Sequence, residues 1–209
     1  FVRHGKTEWN LEGRYQGAQG DSPLLPSSYT EIAALANYLK TIQFTHLYTS
    51  PLKRAQVTAQ TLKRDLNQAF PITVITDLHE FNLGKMEGMS FTDVFEQFPK
   101  TVAAFRQAPA EYDPTVIDGE SFQSVIKRTN QAVDRIVKQA KPDDQIIIVS
   151  HGAAMVAMIQ SLLKTPLADI RKDGGLTNSS VTTLSTDDNG RSYQLLKWNE
   201  TGFLNKQLT

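Results

Sequence analysis

The sequence predicts an α/β fold, a three-layer sandwich whose mostly parallel central sheet has helices on both faces. Short apolar, β-branched runs alternate with longer segments of helical period, which is the pattern of such folds. The length of 209 residues suits one compact domain. The content of 40% hydrophobic and 21% charged residues is that of an ordinary globular protein. We therefore expect one domain over residues 1–209.

Six strands are predicted from the apolar runs. They cover residues 1–2, 46–49, 72–76, 145–150, 181–185 and 193–198. Because the first run starts at Phe1, we expect its strand to begin before that residue. The turn cluster at 187–190, Asp-Asp-Asn-Gly, joins the last two strands and predicts a hairpin.

Four amphipathic helices are predicted between the strands. Their apolar faces are Ile32, Leu35, Ala36 and Leu39; Ala55, Thr58, Ala59 and Leu62; Phe122, Val125, Ile126, Val133, Ile136 and Val137; and Met155, Ile159 and Leu162. Ser27 and Ser28 precede the first face. Glu31 stands three residues after Ser28, a capping-box spacing that predicts the start of the first helix there.

The segment at about 90–120 differs from the rest of the chain. It contains Pro99, Pro109 and Pro114 and shows short helical pieces without a clear strand. We interpret it as an insertion over the sheet that shapes a substrate pocket.

Charge and composition exclude several classes of partner. Lysine plus arginine equals aspartate plus glutamate at 22 each, so no global field would attract nucleic acid or an anionic membrane. The apolar run 146–149 is far shorter than the roughly 20 residues that span a bilayer, and no signal peptide is evident. The absence of cysteine excludes thiolate chemistry and suits the cytoplasm. We expect a cytoplasmic monomer or homodimer.

Two histidines follow predicted strands in the same way. His4-Gly5 and His151-Gly152 each come directly after a buried-strand pattern, and ligands of open α/β sheets bind at the carboxyl ends of strands. Both imidazoles are therefore expected in one crevice. Gly152 also begins a helix whose first amides can bind an anion. The alternative is that each histidine is structural and bonds a backbone carbonyl.

Arginines beside this crevice indicate phosphate. Arg3 adjoins His4, and Arg54 lies in the first turn of a helix after a strand. A guanidinium group matches phosphate oxygens with two parallel bonds and neutralises their charge. For Arg54 the alternative is a solvated helix residue.

Phosphoryl transfer needs a nucleophile and an acid. A neutral imidazole attacks phosphorus without a separate base, and a carboxylic acid can protonate the leaving oxygen. Glu80, just past a strand, is the candidate acid, and Glu87 competes with it. Either one can also be a surface carboxylate.

These residues resemble the histidine phosphatase superfamily, in the branch that contains cofactor-dependent phosphoglycerate mutases and many phosphatases. The matching motifs run in family order along essentially the whole chain. They are Arg3-His4-Gly5-Lys6-Thr7-Glu8-Trp9-Asn10, Gly20-Asp21-Ser22-Pro23-Leu24, Ser50-Pro51-Leu52-Lys53-Arg54-Ala55, Leu78-His79-Glu80 with Gly84 and Glu87-Gly88, Gly119-Glu120-Ser121, and Val149-Ser150-His151-Gly152.

The resemblance implies a phosphoglycerate mutase-like fold, a small phosphorylated substrate, and neither metal nor cofactor. His4 would be the phosphorylated nucleophile and Glu80 the proton donor. Arg3, Arg54 and His151 would form the phosphate pocket. Asn10 would be a further phosphate contact, and we add Gly152 to that set from its place at the helix start.

Departures from the family pattern favour a phosphatase over a mutase. Mutases typically have arginine after the catalytic acid, where this chain has Phe81, and the insertion is shorter and lacks the mutase's paired arginines. A separate departure, Leu25 and Ser28 in place of the usual threonine and glycine near the first helix, changes the local turn chemistry but not the pocket.

The alternatives are a mutase and a weakly active domain that binds phosphorylated ligands or a protein partner. A further one is a metal hydrolase that uses His4, His79, Glu80 and His151. Arg3 argues against the metal, because a bound cation and a guanidinium repel each other.

Overall fold

The computed structural model describes residues 1–204, which form a six-stranded sheet with helices on both faces. Residues 205–209 of the expected domain lie outside the described part. The strands are β1 (Val2–Arg3), β2 (His46–Thr49), β3 (Ile72–Val74), β4 (Ile146–Ser150), β5 (Val181–Ser185) and β6 (Gln194–Glu200). The helices are α1 (Glu8–Leu11), α2 (Pro26–Leu39), α3 (Lys53–Leu66), α4 (Phe91–Gln97), α5 (Pro99–Gln107), α6 (Phe122–Gln139) and α7 (Gly152–Leu162).

The sheet has the order β3-β2-β4-β1-β5-β6, and its first four strands are parallel. Strands β5 and β6 pair antiparallel at one edge, as the hairpin prediction required. All six predicted strands are present, with ends shifted by one or two residues. Strand β3 stops at Val74 rather than at 76 because Thr76–Leu78 turns into a 3₁₀ helix.

Alternate residues of each strand point to opposite faces of the sheet, and each face packs against one pair of helices. On β2, Leu47 packs with α2 and α3, whereas Tyr48 packs with α6 and α7. The predicted three-layer sandwich is thus confirmed. The predicted apolar faces are buried, with Ile126, Val137 and Leu162 only partly so. No helix within residues 1–204 is long and apolar enough to cross a membrane.

The start of α2 differs from the capping-box prediction. Leu25 is the N-cap and makes no side-chain cap bond, and the helix begins at Pro26, whose fixed φ suits the first helical position. The Ser28 hydroxyl instead donates to the Lys6 carbonyl at 2.7 Å. Glu31 accepts a hydrogen bond from the Ser179 hydroxyl at 3.1 Å. The polar residues of this segment therefore tie α2 to neighbouring loops.

The insertion consists of α4, α5 and two 3₁₀ turns, with no strand in the described segment 91–120. A cluster of aromatic rings attaches it to α6. Ring centroids within the cluster lie 4.9 to 5.5 Å apart. Its members are Phe81, Phe105, Tyr112 and Phe122, all buried. Phe81 is thus part of the core that holds the insertion in place.

The first prediction concerns this cluster. Phe81 is fully buried, so we expect Phe81→Ala to lower the free energy of unfolding by about 3–5 kcal/mol through lost contacts and a cavity. Phe95→Ala is the matched control, since Phe95 is 62% exposed; it should change that free energy by less than about 0.5 kcal/mol. Urea denaturation measures both values. Equal losses in the two variants would contradict the packing role of Phe81.

Candidate active site

The parallel pairing of β1 with β4 brings the two strand-end histidines together. Val2 pairs with Val149 and Arg3 with Ser150, so the next residue of each strand is a histidine. The His4 amide donates to the Ser150 carbonyl at 3.0 Å. The two imidazole centroids are 5.1 Å apart, so one crevice holds both rings.

His4 has a defined tautomer in this setting. Its Nδ1 lies 2.8 Å from the Gly5 carbonyl oxygen, which can only accept, so Nδ1 carries the proton. Nε2 therefore keeps its lone pair. Burial, reinforced by the charges of Arg54 and Arg3, lowers the pKa of His4 well below its usual range. His4 is thus a neutral imidazole with one basic nitrogen between two cations.

A cavity of about 230 Å³ opens beside His4. The wall includes five of the seven predicted site residues, namely Arg3, His4, Asn10, Glu80 and Gly152. Arg54 and His151 are fully buried, the His151 ring is the partner of His4, and the charge of Arg54 lowers the pKa of both imidazoles. The structure therefore gathers the other five predicted residues around the pair His4 and His151.

Arg3 explains the glycine at position 152. A Cβ there would lie 3.1 Å from Arg3 Nε, tighter than most real contacts, so Gly152 admits the guanidinium. Arg3 Nη1 donates to the Leu176 carbonyl, and its buried Nε has no partner among the described residues. Burial lowers the pKa of Arg3 to about 10, so it stays charged at neutral pH.

Arg54 is a buried cation and not a solvated helix residue. Only 1% of it is exposed. Nη1 donates to the Gly20 carbonyl at 2.9 Å and to Asp21 at 3.1 Å, and Nη2 donates to the Gly17 carbonyl at 3.0 Å. The buried Nε has no partner among residues 1–204. The 17–21 loop therefore fixes the guanidinium and leaves part of it for a ligand.

Glu80 caps the N-terminus of α7. Its Oε1 accepts from the amides of Phe81 and Ala154, both at 2.8 Å, and Oε2 accepts from the Ala153 amide at 2.9 Å. The positive end of the helix favours this carboxylate. Amides of α7 that the sequence suggested for a bound anion are thus taken by Glu80 itself.

An ion pair behind Glu80 holds its loop. Arg128 donates to the carbonyls of Asp77, His79 and Glu80 at 2.7, 2.8 and 3.1 Å. Glu120 binds the same guanidinium through Nε and Nη2, each at 2.9 Å. This contact gives the Gly119-Glu120-Ser121 motif a structural role that the sequence did not reveal.

Glu87, the rival acid, serves a different purpose. Its carboxylate accepts from the amides of Ala18, Gln19 and Gly20 at 3.1, 2.8 and 2.7 Å, and from Leu83 at 3.0 Å. These bonds hold the loop whose carbonyls bind Arg54. Glu87 is therefore committed to backbone amides, one layer behind the cavity wall.

Asn10 is oriented by two donors to its oxygen. Thr7 N and Asn178 Nδ2 each lie 3.2 Å from Asn10 Oδ1, so the amide NH₂ remains as a donor on the cavity wall. Asn178 Nδ2 also donates to the His4 carbonyl at 3.0 Å. Asn178 stands in a loop before β5, where no local pattern marks it, and the sequence analysis missed it.

His151 contacts Ser50, another residue without an assigned role. His151 Nε2 lies 2.6 Å from Ser50 Oγ, and that hydroxyl also accepts from the Leu52 amide at 3.3 Å. Nδ1 of His151 is buried without a partner among the described residues. Burial, then the charges of Arg54 and His4, lower the pKa of His151 well below its usual range.

Further observations concern the alternative of a metal hydrolase and the rest of the cavity wall. Within residues 1–204, no group of three or more histidine, aspartate or glutamate side chains is placed to hold a metal ion. His79, a member of the suggested metal set, directs Nδ1 to the Glu80 carbonyl at 2.6 Å.

The cavity wall also contains Tyr15, Arg106 and Arg171, which the sequence patterns did not indicate.

Comparison with known proteins gives concordant matches. The family model of the histidine phosphatase superfamily (branch 1) matches residues 1–201. Glucosyl-3-phosphoglycerate phosphatase of Mycobacterium tuberculosis (strain ATCC 25618 / H37Rv) is 30% identical over 206 residues, covering 95% of this chain and 90% of the relative. The probable phosphoglycerate mutase GpmB of Enterobacter sp. (strain 638) is 30% identical over 209 residues, covering 98% and 88%. The structure of Bacillus stearothermophilus YhfR has a TM-score of 0.89 at 29% identity, covering 97% and 96%.

The second prediction follows from the buried imidazoles. Unfolded histidines bind protons below about pH 6.5, whereas the lowered pKa keeps His4 and His151 neutral in the folded state. The unfolded state then binds more protons, so the free energy of unfolding falls as the pH falls. His4→Gln removes one such titration. Its free energy of unfolding should fall by roughly 1 kcal/mol less than that of the wild type between about pH 6.5 and about pH 5.5. Denaturation at both pH values tests this, and parallel losses would contradict it.

Proposed function

The chain belongs to branch 1 of the histidine phosphatase superfamily, and from that membership we propose that it hydrolyses small phosphate monoesters through a phosphohistidine at His4. The observation that carries this proposal is the state of His4. The imidazole is neutral, its Nε2 lone pair is free, and two arginines flank it. That combination suits attack on an anionic phosphorus centre, because cations offset the repulsion between substrate charge and nucleophile.

In the first step, His4 Nε2 forms a bond to phosphorus while the bond from phosphorus to the ester oxygen breaks. The electron pair leaves with that oxygen. The unpartnered Nε groups of Arg3 and Arg54 and the Asn10 NH₂ supply donors to the phosphoryl oxygens. These groups are in place before substrate arrives, so little reorganisation accompanies the developing charge.

Glu80 protonates the leaving oxygen in the proposed mechanism. Its Oε1 accepts two amide bonds, whereas Oε2 accepts one, so Oε2 has a lone pair left to carry a proton. In the second step the Glu80 carboxylate takes a proton from water, and the water oxygen attacks phosphorus. The bond from phosphorus to Nε2 breaks, inorganic phosphate leaves, and His4 is again neutral.

His151 acts as a hydrogen-bond donor and not as a second nucleophile in this proposal. Ser50 Oγ already accepts from the Leu52 amide, so its proton can be donated to His151 Nε2. That assignment places the imidazole proton on the unpartnered Nδ1, next to His4. The two histidines thus present opposite functions, a lone pair from His4 and an N–H from His151.

Water is the proposed acceptor, with a second phosphoglycerate as the alternative. The family's mutases typically have arginine where this chain has Phe81, and Phe81 lies in the aromatic core. Although the insertion lacks the mutases' paired arginines, it does contribute one cation, Arg106, to the cavity wall. We propose that the reaction needs no metal, because Arg3 and Arg54 supply the positive charge. We also propose that the protein works in the cytoplasm, which the absence of cysteine suits.

The third prediction concerns the covalent intermediate. A rapid quench without acid, using a ³²P-labelled monoester in the presence of a strong chelator, should trap acid-labile label on the wild type. His4→Ala should trap none, because it lacks the nucleophile. The label should then appear as inorganic phosphate. Label retained by His4→Ala would refute the assignment of His4, and transfer to added phosphoglycerate would identify a mutase.

The fourth prediction separates the two candidate acids. Glu80→Gln should slow phosphorylation by about 10²–10⁴ for an alkyl phosphate, whose alkoxide needs a proton, and much less for an aryl phosphate. Glu87→Gln is the matched control. It weakens the loop that holds Arg54, so it should slow both substrates by a similar factor. Single-turnover rates give, for each variant, the ratio of its effect on the alkyl phosphate to its effect on the aryl phosphate. A selective loss on the alkyl phosphate in Glu87→Gln would assign the acid role to that residue.

A further inference from the structure

Part of the cavity wall is not used by the proposed reaction. Arg106 lies in the last turn of α5, Arg171 follows the 3₁₀ turn Leu167–Asp169, and Tyr15 precedes the 17–21 loop. All three line the same cavity as His4 and Glu80. They come from separate parts of the chain, so their convergence is a property of the fold.

Both arginines lack a carboxylate partner. Within residues 1–204, no ion pair includes Arg106 or Arg171. The Nε group of Arg171 is buried and has no hydrogen-bond acceptor in the described chain. Arg14, also on the wall, contrasts with them because it binds Glu12 at 2.6 Å and the Gly88 carbonyl at 2.9 Å. A buried N–H without an acceptor is costly, which indicates a site made for a ligand.

Aromatic rings hold the two guanidinium groups in place. Arg106 Cζ is 5.6 Å from the Tyr15 ring centroid and 5.2 Å from that of Phe91. Arg171 Cζ is 5.0 Å from the Phe105 centroid. Contact with aromatic faces positions a guanidinium without using its N–H groups. The cations are thus oriented while their donors stay available.

Tyr15 adds a neutral donor to the same wall. The residue is 7% exposed, and its hydroxyl proton has no acceptor in the described structure, because the nearby Arg106 guanidinium can only donate. Burial raises the pKa of Tyr15, with Arg106 opposing the shift, so the phenol keeps its proton at neutral pH. Two guanidinium groups can only donate, and the phenol proton joins them. A hydroxyl-rich group would also require acceptors, whereas an anion requires only donors.

The position of these donors relative to Glu80 indicates which part of a substrate they meet. Glu80, Arg106, Arg171 and Tyr15 share the wall of this cavity, whereas the buried Arg54 is not part of that wall. In the proposed mechanism Glu80 faces the leaving oxygen. The donors therefore lie on the side of the leaving group and not on the side of Arg54.

We propose that Arg106, Arg171 and Tyr15 form a subsite for a carboxylate on the leaving group, which makes small phosphorylated carboxylic acids the substrate class. This inference rests on the proposed function, since it describes how that hydrolysis selects its substrate. The carboxylate accepts hydrogen bonds from all three groups, and two of these donors, the Arg171 Nε–H and the Tyr15 hydroxyl, are buried without an acceptor in the described chain. Charge-assisted bonds of this kind favour the charged substrate over a neutral analogue of the same shape.

The test uses a pair of substrates that differ in one group. 3-Phosphoglycerate carries a carboxylate where glycerol 3-phosphate carries a hydroxymethyl group. We expect the wild-type kcat/KM to favour 3-phosphoglycerate by about 10- to 100-fold. Arg106→Gln with Arg171→Gln should remove most of this preference, while kcat/KM for glycerol 3-phosphate changes less than about threefold. Equal losses on both substrates, or no preference in the wild type, would overturn the subsite.

Two controls keep the test decisive. Arg106 is exposed, so the single variant Arg106→Gln should fold even where the double variant does not, and it should lower the preference in the same direction. Arg191→Gln should leave the preference unchanged. Strand β5 runs antiparallel to β1, so Arg191, which follows β5, lies at the opposite end of the strands from His4.

Failure of the proposed function gives a different result. In that case the wild type turns over neither substrate, nor p-nitrophenyl phosphate. Titration calorimetry then tests the subsite without turnover. 3-Phosphoglycerate should still bind the wild type roughly tenfold more tightly than it binds Arg106→Gln. Equal affinities would overturn the subsite as well.

Discussion

The site depends on keeping buried positive charge without neutralising it. Arg54 is 1% exposed, yet carbonyls of the 17–21 loop provide most of its partners, and Asp21 is its only ion-pair partner in the described chain. Arg3 likewise binds a carbonyl, that of Leu176. Carbonyl dipoles hold a guanidinium in place while they leave much of its charge uncompensated. Burial lowers the pKa of His4 most, and this remaining charge lowers it further; the same charge is available to a phosphoryl group.

Carbonyl ligands must themselves be held rigidly, and carboxylates do this through backbone amides. Glu87 fixes the loop around Arg54 with three amide bonds, and Glu80 fixes the start of α7 next to Arg3. Glu120 works through Arg128, which binds the carbonyls of Asp77, His79 and Glu80 in the Glu80 loop. These carboxylates thus fix the backbone around the cavity, Glu80 from its wall and Glu87 and Glu120 from behind that wall. Such an arrangement is preorganised before substrate arrives.

Sequence patterns predicted the features that depend on the spacing of apolar residues along the chain and on where strands end. The strands, the four apolar helix faces and the two His-Gly pairs follow from residue spacing, because burial on a sheet face has period 2 and on a helix period 3.6. The roles of Glu31, Glu87 and Glu120 could not be read in this way. Each carboxylate has partners distant in the chain, and a capping-box spacing at Glu31 was equally consistent with a purely local bond. Arg106 and Arg171 were missed for the same reason, since only the packed aromatic rings bring them to one wall.

Chemistry and selectivity are therefore built from different parts of the chain. In the proposed mechanism, the groups around phosphorus stand at strand ends and in the loops that follow, and the register of β1 and β4 fixes His4 and His151 within one sheet. In the proposed subsite, the groups that face the leaving portion stand on α5 and on the segment after α7, and they reach the cavity through contacts with Phe105 and Phe91. Packing of the insertion can change without shifting that register. A fold of this kind can keep one mechanism while the insertion sets which phosphate ester fits.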